Sequence, residues 1–239
     1  MFGRHKELIK MKLVSIIIPV INEEVSLRSF LPSLQNLRED GCEIILVDGG
    51  SSDGSCEVAK PLVDKLLVTN RGRASQMNFG AKNSNGEILI FLHADTQLNA
   101  QAITFARDVA DRFESFWGWY SLRFQNSSYL LSFVSCCMRV RSSITKICTG
   151  DQTLFISSTL FSDIGGFPDI PIMEDIAICK LLRTRVAPIQ LKSRVLSSPR
   201  RWERDGLLKT VFLMWYLRFL YWLGFSPVKL SDKYYPEYR

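Results

Sequence analysis

Asp48 and Asp95 each lie just past an apolar run, and the adjacent pair Glu174 and Asp175 stands at the head of a helical pattern. Carboxylates so placed suit chemistry on a nucleoside-diphosphate donor. One can accept hydrogen bonds from the base or ribose, and another can help hold a divalent cation against the leaving diphosphate. A third can take the proton of an acceptor hydroxyl. Each acid alone has an ordinary alternative, because loop carboxylates are solvated or cap helices. Asp53 reads as such a cap, and Glu174 and Asp175 fit a helix N-terminus, where acids favour the dipole.

The elements that must position these acids are legible in outline. Residues 13–20 form an unbroken, β-branched apolar run, as in a strand covered on both faces. Residues 24–37 place apolar side chains at helical spacing, with Gly41 beyond. Further strands are expected over 43–47, 65–69 and 88–93, with a helix over 55–65 and a loop entering a helix over 71–83 between them. This alternation predicts an α/β fold with a mostly parallel sheet and helices on both faces. Ligands in such sheets bind at the carboxyl ends of strands. Asn22, Asp48, Arg71, Arg73, His93 and Asp95 all fall there. The second half is less regular. Helices are expected over 100–113, 128–145 and 175–185, and strands over 118–124 and 150–157.

Composition narrows the function classes. The chain has 239 residues, 46% hydrophobic and 23% charged, which excludes wholesale disorder. Its six cysteines form no C-x-x-C pair and read as free thiols. The basic start followed by a short apolar run lacks a small-residue cleavage site, so a first strand is expected rather than a signal peptide. The net charge is +6, and from Arg183 onward twelve basic residues face four acidic ones. Such a tail suits phosphate, nucleic acid or a membrane face. No nucleic-acid-binding motif accompanies it, and its charges interleave with the apolar stretch 207–225. That stretch is interrupted only by Lys209, Thr210 and Arg218. It reads as a core or interfacial helix ahead of a membrane span, since a central Arg costs about 2.5 kcal/mol or more in a bilayer.

Eight segments in register carry a resemblance: PVINEE at 19–24, VDGGSSDGS at 47–55, GRASQMNFGA at 72–81, GEILIFLHADT at 86–96, GDQTLF at 150–155, GGFP at 165–168, MED at 173–175 and RRW at 200–202. The chain resembles a family 2 glycosyltransferase of GT-A (Rossmann-like) fold. More narrowly, it is similar to the short bacterial subgroup of radical-SAM- or selenodomain-associated glycosyltransferases. The resemblance implies a single GT-A domain over 13–206, with a donor-binding half over about 13–98 and an acceptor half over about 99–206. An extension over 1–12 precedes it, and an apolar, basic helix and tail over 207–239 follow.

The family pattern assigns Asp175 as the general base, with Glu174 either orienting it or touching the acceptor. It assigns Pro19, Asn22, Glu23, Asp48, Arg73, Asn78, Asp95, Arg200, Arg201 and Trp202 to the donor, and Asp151 and Gln152 to the acceptor. Mn²⁺ or Mg²⁺ would rest on Asp95. His93 stands where the family's D-x-D element has its first Asp, and is either a nitrogen ligand or a plain strand-end residue. The implied activity is inverting, metal-assisted transfer from a nucleotide sugar, UDP-linked by default, to a hydroxyl acceptor. A non-catalytic nucleotide-sugar-binding protein is the alternative that His93 motivates. An interfacial 207–225 brings a lipid-linked acceptor and a peripheral place on the inner face of the plasma membrane, in an otherwise cytoplasmic protein with no nucleic-acid partner.

Overall fold

A computed structural model of the chain describes residues 11–125, 128–199 and 206–234. Eight strands are present among these: β1 (Val14–Val20), β2 (Cys42–Asp48), β3 (Lys65–Val68), β4 (Ile88–Phe91), β5 (Thr96–Gln97), β6 (Trp117–Phe124), β7 (Leu154–Ser157) and β8 (Ile189–Ser197). They form one sheet in the order β3-β2-β1-β4-β7-β6-β8-β5. The first four run parallel. Strand β7 is antiparallel to both neighbours, β6 and β8 are parallel, and β5 closes the edge antiparallel to β8.

The helices are α1 (Glu24–Ser33), α2 (Gln35–Glu39), α3 (Ser55–Ala59), α4 (Arg73–Lys82), α5 (Ala100–Arg112), α6 (Tyr129–Thr145), α7 (Ser158–Asp163), α8 (Glu174–Leu182), α9 (Leu207–Trp222) and α10 (Pro227–Tyr234). Alternate side chains of β1 enter separate cores. Val14, Ile16 and Ile18 pack with Leu27, Phe30 and Leu31 of α1 and with Ala102, Ile103 and Ala106 of α5. Ile17 faces the other way, with Ala74 and Met77 of α4 and Ile178, Cys179 and Leu182 of α8. The unbroken apolar run is thus buried on both faces, as a covered parallel strand requires. A third cluster joins Leu217 and Leu220 of α9 and Leu230 of α10 to Ile172, Met173 and Ile176. It fixes the C-terminal helices against the start of α8.

Four elements differ from expectation, each for a local reason. The helix expected over 24–37 breaks at Leu34, where Pro32 lacks an N–H and Leu34 bonds back to Leu31 at 3.1 Å. The helix expected over 55–65 stops at Ala59, because Pro61 cannot supply the next donor. The strand expected over 150–157 is a 3₁₀ turn, Gly150–Gln152, followed by β7; Thr153 at φ +53° separates them. Strand β4 ends at Phe91, which leaves His93 in the loop beyond it.

Candidate active site

The sheet changes direction between β1 and β4, each of which has its next neighbour on the opposite side. Open α/β sheets bind ligands at such a switch point, beyond the carboxyl ends of the strands. Here the loop after β1 carries Pro19, Asn22 and Glu23, that after β2 carries Asp48, and that after β4 carries His93 and Asp95.

The β1 and β2 loops are stitched together. Asp48 is buried and accepts from the backbone N–H groups of Gly50 and Ser51, both at 2.8 Å, and from the Ser51 hydroxyl. Ser51 Oγ in turn accepts from the Asn22 N–H, and Asn22 Oδ1 from the Ser52 N–H at 2.9 Å. Asn22 is held at φ +52°. Asp53 bridges two helix starts, accepting from the N–H groups of Glu24 at 3.1 Å and Ser55 at 3.0 Å, while Glu24 accepts from Gly54. Buried Gln76, inside the GRASQMNFGA segment but given no site role by it, donates to the carbonyls of Val20 and Val47 at 2.8 Å each. It ties the ends of β1 and β2 together.

Arg73, the first residue of α4, points between the loops. Its guanidinium contacts a His93 ring nitrogen and lies 3.5 Å from the Glu174 carboxylate. Gly150 lies against this pair; a Cβ there would run into His93 Nε2 and Arg73 Nη2. Asp175 Oδ2 accepts from the Gly150 N–H at 3.3 Å, and Oδ1 from Ile176 at 2.7 Å. Met173, just before α8, sits at φ +69°. Non-glycine residues in this region carry strain of order 1–3 kcal/mol, and Asn22, Thr153 and Met173 all flank the site.

The acids respond to this crowding. Burial pushes the Asp175 carboxyl up to about 7; the Glu174 charge adds to the rise and Arg73 opposes it. Asp95 keeps much of its residue surface in solvent, but protein atoms around its carboxyl push it above its usual value, with Asp151 and Glu23 contributing. Such excess negative charge is what a cation would neutralise. Among the described residues no three metal-ligating side chains converge, and His93 faces Arg73. The residues therefore fit a divalent ion that arrives with phosphate oxygens and rests on Asp95, since Mg²⁺ commonly keeps one or two carboxylates plus substrate phosphates.

Arg73, His93, Asp95, Asp151 and Asp175 line one cavity of about 790 Å³, together with Arg141 of α6 and several residues of α9. Other expected site residues lie elsewhere. Gln152 is fully buried behind the cavity, where its Oε1 accepts from Ser142 Oγ at 2.7 Å. Asn78 clamps the Phe167 backbone, donating to its carbonyl and accepting from its N–H, both at 2.8 Å. Arg200, Arg201 and Trp202 lie outside the described residues. Arg141 sits inside an apolar helix, and no sequence motif marks it.

Residues 15–130 match the family model for glycosyl transferase family 2. That stretch is similar to a family 2 glycosyltransferase domain. The undecaprenyl-phosphate 4-deoxy-4-formamido-L-arabinose transferase of Aeromonas hydrophila is 37% identical over 97 residues, 36% of this chain and 30% of that protein. Among solved structures, S. aureus TarS 1-349 in complex with UDP-GlcNAc aligns with a TM-score of 0.61 at 19% identity, over 79% of this chain and 58% of that one. The mannosyltransferase PcManGT from Pyrobaculum calidifontis, in complex with GDP-Man and Mn²⁺, aligns with a TM-score of 0.56 at 23% identity, over 77% and 56%. These likenesses show the fold: the chain shares the α/β, GT-A-like architecture of those structures. The chain spans about a third of the length of the curated relatives it matches.

Proposed function

We propose that this glycosyltransferase moves a sugar from a nucleotide-diphosphate donor to a hydroxyl acceptor, with inversion at the anomeric carbon. The observation that carries the reading is that Asp95 and Asp175 line one cavity at the switch point of the sheet. In this reading the donor lies over the loops of Pro19, Asn22, Glu23 and Asp48, with its diphosphate beside Asp95 and Arg73. A divalent cation, Mn²⁺ or Mg²⁺, would offset the charge of the leaving diphosphate. Glu174 holds Arg73 in place, and Arg73 presents its guanidinium to the phosphate side. Asp175 takes the acceptor proton as the oxygen bonds to the anomeric carbon and the bond to the diphosphate breaks. A base performs best with a pKa near the working pH, and a carboxyl pushed to about 7 meets that condition.

A lipid-linked acceptor finds support in relatives named as undecaprenyl-phosphate sugar transferases. It also agrees with the apolar helix walls of the cavity. No helix among the described residues is long and apolar enough to cross a membrane; the proposed contact with a bilayer is through the exposed apolar side of α9. Arg200, Arg201 and Trp202 are proposed to close over the donor. The proposed glycosyltransferase domain runs over 13–206, donor half about 13–98 and acceptor half about 99–206, with Asp151 on the acceptor side and Gln152 supporting it.

The test is a donor panel: nucleotide-sugar hydrolysis and thermal shift, with and without Mn²⁺. Release of nucleoside diphosphate from one donor, enhanced by Mn²⁺, is expected. Binding without turnover across the panel would favour the non-catalytic alternative.

A further inference from the structure

The cavity that holds Asp95, Asp151 and Asp175 is lined on its other sides by helices. Leu130, Phe133, Val134 and Met138 of α6 face Leu207, Val211, Met214 and Trp215 of α9 across it. At about 790 Å³ it falls among clefts that enclose ligands, roughly 300–1,000 Å³. Two features are out of place in an apolar wall. Arg141 on α6 and Arg218 on α9 both line the cavity, and the Nε of each is buried and donates no hydrogen bond. No carboxylate pairs with either among the described residues. The Nη2 contacts of Arg141 are long, at 3.3 Å to Gln152 and 3.5 Å to Thr149. Two guanidinium groups with buried, unused donors in one cavity call for an anion, and phosphate matches their fork.

The cavity also opens onto apolar surface. Leu130, Phe133, Leu208 and Trp215 line it, yet are 51%, 66%, 63% and 66% exposed. That surface continues along α9 through Phe212, Phe219 and Trp222. A water-soluble acceptor would have no use for such a rim, whereas an acyl or isoprenoid chain would cover it.

We infer that the cavity takes as acceptor a phospholipid whose head group carries a free hydroxyl, with its phosphate between Arg141 and Arg218 and its hydroxyl at Asp175. This rests on the glycosyl-transfer reading of the same site. The hydroxyl oxygen bonds to the anomeric carbon, its proton goes to Asp175, and the nucleoside diphosphate leaves with the electron pair of the broken bond. The lipid phosphate stays a diester and is not the nucleophile. A lipid phosphomonoester fits less well, because it would attack as an ionised oxygen with no proton for Asp175 to take.

The experiment is calorimetric titration with monomeric dihexanoyl phosphatidylglycerol, phosphatidylcholine and phosphatidate. Phosphatidylglycerol should bind about tenfold or more tighter than phosphatidylcholine, and Arg141→Gln or Arg218→Gln should each remove most of that preference, with Arg→Lys restoring part. Val211→Trp, which fills the cavity two helical turns from Arg218, should weaken both lipids. Equal binding of the charged and zwitterionic lipids, or unchanged binding in both glutamine variants, would overturn the site. Tighter binding of phosphatidate than of phosphatidylglycerol would overturn the hydroxyl-bearing head group. Donor hydrolysis measured in the same preparations separates the two readings: selective lipid binding without any donor turnover would sink glycosyl transfer and leave the phosphate site standing.

Discussion

Asp175 is a half-buried acid beside a buried one, Glu174, with the Arg73 guanidinium nearby to offset the charge. A carboxyl whose folded pKa is raised binds its proton more tightly in the folded state than in the unfolded chain. Its ionisation therefore lowers stability as pH rises through the folded value, here about 7. Asp175→Asn removes that charge. The variant should melt higher than wild type at pH 8, by about 1–3 kcal/mol of stability, with the difference closing toward pH 5. Differential scanning calorimetry across that range checks it, and a difference that widens at low pH would refute it. Asp95→Ala should leave the fold intact but abolish the Mn²⁺ dependence of donor affinity, read by titration with and without the metal. These two acids stood out in the sequence because their flanking segments, HADT and MED, match a family pattern. The role of Asp48 was less legible. Its oxygens accept from the very loop that follows it, a contact set by turn geometry that no residue spacing announces.

At the scale of elements, the first four strands could be read directly, because burial on both faces leaves an unbroken apolar run. The break at Leu34 and the turn at Gly150–Gln152 could not, since proline placement and a positive φ at Thr153 override the apolar pattern. Strand β8 also escaped notice: Ile189–Ser197 alternates with polar residues and gains its partners only across the sheet, from β5 and β6. Asn78 shows the same limit. The motif GRASQMNFGA placed it beside the donor, while its amide clamps the Phe167 backbone in the GGFP loop. Asn78→Ala leaves two backbone groups without a partner and should cost about 1–3 kcal/mol of stability, measured by urea unfolding. Donor affinity in the folded variant should change less than threefold. A loss of affinity with stability unchanged would instead make Asn78 a donor contact.

For the whole molecule, charge and apolar surface tell a joint story. Helix α9 is apolar nearly all round, so periodicity alone could not orient it. Packing does, through Leu217 and Leu220 against Ile172 and Met173. The opposite side leaves Phe212, Trp215, Phe219 and Trp222 exposed, and exposed apolar patches of this kind mark interaction sites. With the net charge of +6, the protein should sediment with anionic vesicles and release in high salt, and Phe212→Ser with Trp222→Ser should weaken that binding about tenfold or more. Equal binding to neutral and anionic vesicles would remove the electrostatic part. The central claim is that Asp175 is the base of a sugar transfer. The most direct measurement is nucleoside-diphosphate release from the donor the panel identifies, followed from about pH 5 to 9 in wild type and Asp175→Asn. Wild-type turnover should rise through about pH 7 to a plateau, and Asp175→Asn should bind the donor normally yet turn over about 10²–10⁴-fold more slowly. Turnover in Asp175→Asn equal to wild type across that range would contradict it.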